Sequence, residues 1–176
     1  MAINSRKKGK RGEKKARLVL TKWTKLEFAG VPASGGLRWK KTDNITGDLV
    51  CTDPLHRFDF SIEVKNHREI NFEHLLTPNI NSSIKEFWKQ CKMDAIRGKK
   101  IPLLMMRYDG IRPSDYFFLV ISLKLFKRLK PILKLKYPYL KCIRNGFVIL
   151  HPDILFKTSY HKIKIETQQI IKEIWN

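Results

Sequence analysis

A few charged side chains stand out by type and position. Asp48 follows Gly47 and opens a short apolar run, Asp48-Leu-Val-Cys-Thr52. Further on, Phe58 to Lys65 reads FDFSIEVK, with Glu63 and Lys65 two residues apart. On an extended chain both project from the same face. With the first run paired beside the second, Asp48 reaches that face near Glu63. Two carboxylates and a lysine converging on a sheet suit a hard divalent cation beside a phosphate. Mg²⁺ takes oxygen ligands, keeps several waters, and usually binds one or two carboxylates plus phosphate oxygens. It would polarise the phosphate and lower the pKa of a bound water. Lys65 would orient that water or offset charge building on the phosphorane oxygens. The Glu-x-Lys triplet alone says little, because alternating strands produce it constantly. Glu13 adds to it as the only acid before Glu27. Its spacing from Ala16 and Leu20 puts it at the edge of a buried helical stripe; capping the helix or pairing with Arg17 at i+4 explains it equally well.

The elements that must position these groups are legible from periodicity. Ala16, Val19, Leu20, Trp23 and Leu26 recur at three-to-four spacing, which predicts a helix from Gly12 to near Phe28. Ala29-Gly30-Val31-Pro32 ends it, and 33–47 is a Gly-rich polar loop. The runs 48–52 and 58–65 are close enough to pair as a hairpin, the second with Phe58, Phe60, Ile62 and Val64 on one face. A second helix fits 83–97, with Ile84, Phe87, Trp88, Cys91 and Ala95 on one side and Gly98 as its stop. IPLLMM (101–106) and YFFLVI (116–121) read as buried strands. Helix, strand, strand, helix, strand, strand indicates a mixed α/β sheet flanked by helices. From 123 to 144 there are eight bases and no acid, with Pro131 and Pro138 breaking any long helix. Phe147 to Leu150 suits a strand and 163–175 a closing helix.

Composition narrows the partners. The chain has 176 residues, 36 Lys+Arg against 16 Asp+Glu, and a formal charge of +20. That length suits one domain with its own core. The excess charge runs through the whole chain, so the body attracts a polyanion, and nucleic acid is the commonest one in a cell. The basic stretches lack the amphipathic pattern of interfacial helices, and no apolar run approaches the roughly 20 residues that cross a bilayer, so no membrane partner is expected. No apolar segment follows the basic N-terminus, which argues against a secretory signal. Cys51, Cys91 and Cys142 are scattered and odd in number, suited to a reducing cytosol and to neither a disulfide framework nor a zinc knuckle. No GxSxG or P-loop pattern occurs.

Residues 9–66 carry a more specific pattern: Gly9-Lys-Arg-Gly-Glu13, Ala33-Ser-Gly-Gly36, Gly47-Asp48 and Ile62-Glu-Val-Lys-Asn66, in that order. The set resembles the archaeal-type Holliday-junction resolvases and their phage-encoded relatives, within the PD-(D/E)xK nuclease superfamily. The resemblance implies a restriction-endonuclease-like α/β core with a mixed central sheet; with the basic stretches read from the residues, the chain divides into a basic arm at 1–11, mobile until bound, a nuclease core at 12–122, and a basic extension of the same domain at 123–176. It implies that Glu13 helps hold the metal or its water. It places Ser34 near the scissile phosphate, with Gly35 and Gly36 letting the backbone approach. Asp48 and Glu63 become ligands of Mg²⁺ (or Mn²⁺), and Lys65 the catalytic lysine. Gly47 stands where the superfamily often has Pro, a mild variation if either residue only has to break the chain. Gln90 matches a glutamine that many members aim at the site, although a surface position beside Trp88 accounts for it as well.

For DNA contact the basic arm offers Arg6, Lys7, Lys8, Lys10 and Arg11, and the 33–47 loop offers Arg38, Trp39, Lys40 and Lys41, with Trp39 able to stack on a base or merely anchor the loop. His67 could contact phosphate or simply end its strand. The expected activity is a metal-dependent, structure-specific endonuclease acting on branched double-stranded DNA, a four-way junction in particular. Paired nicks imply a two-fold homodimer. The expected location is the cytoplasm, that of the host if the protein is phage-encoded. The competing expectations are a restriction- or repair-type nuclease on the same core, and a non-catalytic basic nucleic-acid-binding protein.

Overall fold

The computed structural model describes residues 5–31, 45–77, 82–113 and 115–175. The first half holds helix α1 (Ser5–Thr24), strands β1 (Phe28–Gly30), β2 (Leu49–Cys51) and β3 (Phe60–His67), and helix α2 (Ser83–Arg97). Then come β4 (Ile101–Tyr108), β5 (Phe118–Ser122), α3 (Leu123–Leu129), β6 (Tyr139–Cys142), β7 (Phe147–Leu150), α4 (Pro152–Phe156) and α5 (Tyr160–Trp175). Among the described residues seven strands form one mixed sheet in the order β1-β2-β3-β4-β5-β7-β6. Only β3 and β4 run parallel, and α2 makes the crossover between them, as a parallel pair requires.

Side-chain alternation sorts the core into two layers. Ile62, Leu103, Met105, Leu119 and Val148 face α1, α3, α4 and α5. Leu104, Met106, Val120 and Ile149 face Ile84, Trp88 and Cys91 of α2. The mixed α/β sheet flanked by helices therefore stands as expected. The 83–97 helix, the buried strands, the hairpin of β2 with β3, and strand 147–150 all form. No helix among the described residues is long and apolar enough to cross a membrane.

The differences lie at boundaries. The helix expected from Gly12 begins at Ser5, so residues 5–11 are its first turns. Tertiary contacts hold them: Lys8 Nζ lies 2.6 Å from Asp109 Oδ2, and Asn66 Nδ2 donates to the Lys8 carbonyl at 3.0 Å. The same helix stops at Thr24 rather than near Phe28. Lys25 adopts φ 63°, and the Thr24 hydroxyl, itself donating to the Leu20 carbonyl, accepts the Leu26 amide. That reversal sends Phe28–Gly30 into β1, antiparallel to β2. The segment beyond 122 completes the same sheet, with β7 inserted between β5 and β6.

Candidate active site

The site forms where β2 and β3 meet beneath α2. Gly47 adopts φ +79°, and a Cβ there would sit 2.2 Å from the Ile62 carbonyl oxygen. Only glycine permits both the left-handed backbone and that approach, so Gly47 is not interchangeable with the superfamily's proline, whose ring fixes φ near about −65°. The close approach lets the Asp48 amide donate to the Ile62 carbonyl at 2.7 Å, while the Val31 amide donates to the Asp48 carbonyl at 2.9 Å. Asp48 is thus tied between β1 and β3. Its Oδ2 accepts the Val64 amide at 2.8 Å, which turns the carboxylate toward Glu63 and Lys65.

The buried length of β3 is covered on both faces. Glu63 is 2% exposed, with Asp59 and Ser61 equally buried. A buried carboxylate requires a partner, and Lys65 Nζ stands 2.6 Å from Glu63 Oε1. Gln90 of α2 accepts from the same ammonium through Oε1 at 3.0 Å. The Phe87 ring lies beneath it, 5.3 Å from Nζ. Lys65 is therefore fixed from three sides.

The electrostatics record crowded negative charge. Burial, and then the Asp48 charge, push the Glu63 carboxyl up to about 7 despite Lys65. Burial also raises Asp48, opposed by the Val64 amide and by Lys65. Glu13 is raised by burial and then by Asp48, so α1 brings a third acid within Asp48's field. Gly12 makes that approach possible, since a Cβ there would lie 2.9 Å from Asn66 Cβ. Among the described residues, no three His, Cys, Asp or Glu side chains form a group that would hold a metal unaided. The donor set nevertheless fits a hard cation. Asp48 and Glu63 are mutually repelling oxygen donors, and two carboxylates with waters and phosphate oxygens are what Mg²⁺ usually takes.

The structure thus brings Asp48, Glu63, Lys65 and Gln90 together, with Glu13 alongside. Ser34, Arg38, Trp39, Lys40 and Lys41 lie outside the described residues, as does the Arg6 side chain. Lys7, Lys10 and Arg11 are exposed on α1, whereas Lys8 is committed to Asp109. His67 rests against Phe87, ring centroids 4.7 Å apart. Burial, then Lys65 and Lys8, lower its pKa, so it would offer phosphate a hydrogen bond more than a charge. Two neighbours escaped the sequence reading. Phe87 was assigned only to the helix's apolar side. Asp94 adds its charge to both Asp48 and Glu63 while pairing with Arg97 at 2.8 Å. Its spacing of four from Gln90 was the available signal.

Comparison with known proteins identifies the family. The family model described as "Phage putative PDDEXK endonuclease" matches residues 4–167. Protein D14 of Escherichia phage T5 is 31% identical over 110 residues, 62% of this chain and 68% of that protein. No solved structure matches the chain. Paired carboxylates and a lysine on adjoining strands, with a family match over nearly the whole length, place the chain among nucleases: it belongs to the phage PDDEXK endonuclease family.

Proposed function

We propose that this nuclease is a metal-dependent, structure-specific endonuclease that resolves four-way DNA junctions by paired phosphodiester hydrolysis, acting as a homodimer in the cytoplasm of the host cell. The observation that carries the hydrolytic part is Lys65, held between Glu63 and Gln90 beside Asp48. The junction part rests on the resemblance of the ordered set Glu13, Ser34-Gly35-Gly36, Asp48 and Glu63-x-Lys65 to resolvases. Asp48 and Glu63 would hold Mg²⁺ or Mn²⁺, with Glu13 steadying it directly or through water. Bound there, the cation supplies Lewis acidity at the scissile phosphate and a more acidic water.

The chain's own groups do the rest. Gln90 and Phe87 keep the Lys65 ammonium at one position, from which it offsets charge gathering on the phosphoryl oxygens. The buried carboxylates bind no phosphate themselves and repel it until a cation is present, so DNA binding and cleavage are separable. The exposed Lys7, Lys10 and Arg11 at the start of α1 and the bases of 123–144 provide affinity that falls steeply with salt. The family's 5′-phosphate product is expected.

The test is Mg²⁺-dependent cleavage of a labelled four-way junction beside matched linear duplex, with Asp48→Ala as control. Paired nicks near the branch point, absent on duplex and in the variant, are expected. Equal cutting of both substrates would keep the nuclease and replace the junction by another DNA target. Binding without cutting of either, unchanged by Asp48→Ala, would return the chain to a non-catalytic binder.

A further inference from the structure

A second cavity lies at the other end of α1. It is a cleft of about 720 Å³ between the C-terminal turn of α1, the residues Pro113, Asp115 and Tyr116, α4 and the start of α5. That volume is typical of sites for small organic groups. Trp23, Tyr116, Phe156 and Tyr160 supply ring surface, and Lys22, Lys25, Lys157 and His161 line it with nitrogen. Asp115 and Asp153 are its acids, and Lys157 neutralises Asp153 at 2.8 Å. Lys22 and Lys25 are both exposed at the cleft.

Further features favour an anion with a polar ring attached. The first turn of α5 contains no acid, so its amide dipoles are not offset there. Aromatic faces beside lysines are the combination that takes single-stranded nucleic acid, since every base offers a stacking face and every link a phosphate. A duplex is too wide to enter. Ten residues of α1 separate Glu13 from Trp23, about 15 Å along the helix. The cleft therefore lies apart from the Asp48–Glu63 site.

We propose that the cleft bounded by Trp23, Tyr116 and Tyr160 binds a nucleotide of an unpaired DNA strand, outside the cleavage site. The inference rests on DNA as the substrate and not on the four-way junction.

The experiment measures binding and not cleavage, so a failure of the junction reading leaves it intact. Full-length protein in EDTA is titrated with a short fluorescein-labelled oligothymidylate and with linear duplex over a range of salt. Lys22→Ala combined with Lys25→Asn removes two cleft charges, asparagine tolerating the positive φ. Two lost phosphate contacts on a single strand should flatten the log K against log salt slope by about 1.4. Oligothymidylate affinity should fall about ten-fold or more at low salt, with duplex affinity unchanged. Lys92→Ala combined with Lys172→Ala removes equal charge from α2 and α5 and should leave the oligothymidylate slope unaltered. All four lysines are exposed, and melting curves check the fold. Equal flattening by both pairs would reduce the cleft to part of a general basic field. Equal loss of duplex binding, or competition by free thymidylate as strong as by the oligonucleotide, would also overturn the strand assignment.

Discussion

Gly47 gives the sharpest test of how the site is built. In Gly47→Ala the new Cβ would meet the Ile62 carbonyl oxygen at 2.2 Å, with two further backbone atoms of Ile62 at 2.9 Å. Backbone cannot yield as a side chain does, so β2 must move from β3 by about 1 Å to restore an ordinary contact. The φ of +79° itself costs an alanine about 1–2 kcal/mol. Separation stretches the Asp48 amide bond to Ile62 and the Val64 amide bond to Asp48, each contributing about 0.5–1.5 kcal/mol. The expected loss is about 2–5 kcal/mol by urea unfolding. A displacement of that size at a reacting centre can cost roughly 100-fold in rate, so single-turnover cleavage under folding conditions should fall by about that factor while DNA affinity holds. Gly47→Pro should be worse, because its φ is fixed with the opposite sign. An alanine variant within about 0.5 kcal/mol of the parent, cleaving at the parental rate, would refute the idea that this close approach aims Asp48.

Glu63 sets a pH signature in metal-free protein. Its folded pKa of about 7 lies above its ordinary 4.5, so the cost of ionising it is absent at low pH and grows as pH rises through that window. Relative to Glu63→Gln, the parent should lose about 2–3 kcal/mol between pH 5 and pH 8. Urea unfolding of both at each pH checks it, and a pH-independent difference would defeat it. Gln90 acts through Lys65: Gln90→Leu removes a charge-assisted hydrogen bond of about 1.5–3 kcal/mol, so kcat should fall roughly ten-fold or more with junction affinity unchanged. A matching loss of affinity would instead make Gln90 a DNA contact.

How much of this was legible in the sequence depended on whether a group's partner was local. Asp48, Glu63 and Lys65 share a hairpin, so alternation alone brought them together. Gln90 was undecided because its partner, Lys65, lies 25 residues away and helical angle shows only which way a residue points. The burial of Asp59, Ser61 and Glu63 cannot be read from their polar types: α2 and α5 cover them, and Thr167 of α5 donates to Asp59 at 2.8 Å. The basic start of α1 lacks an apolar stripe, and its order comes from Asp109 and Asn66, contacts that periodicity cannot report. The Gly47 approach left only a glycine in the text, equally consistent with a simple break.

The parallel pairing of β3 and β4 also bears on when a newly made chain becomes active. Strand β3 can join β2 at once through a short connection, but it cannot join β4 until the crossover through α2 has been synthesised and folded. Such pairing between distant segments is intrinsically slow. The same event delivers Gln90 and Phe87 to Lys65. A nascent chain carrying Glu13, Asp48, Glu63 and Lys65 therefore holds its reactive groups before it can aim them, and ribosome-bound chains ending before residue 101 should be inert. Ordering of the Lys65 side chain therefore waits on the synthesis of α2 and β4, well after Lys65 itself has been added.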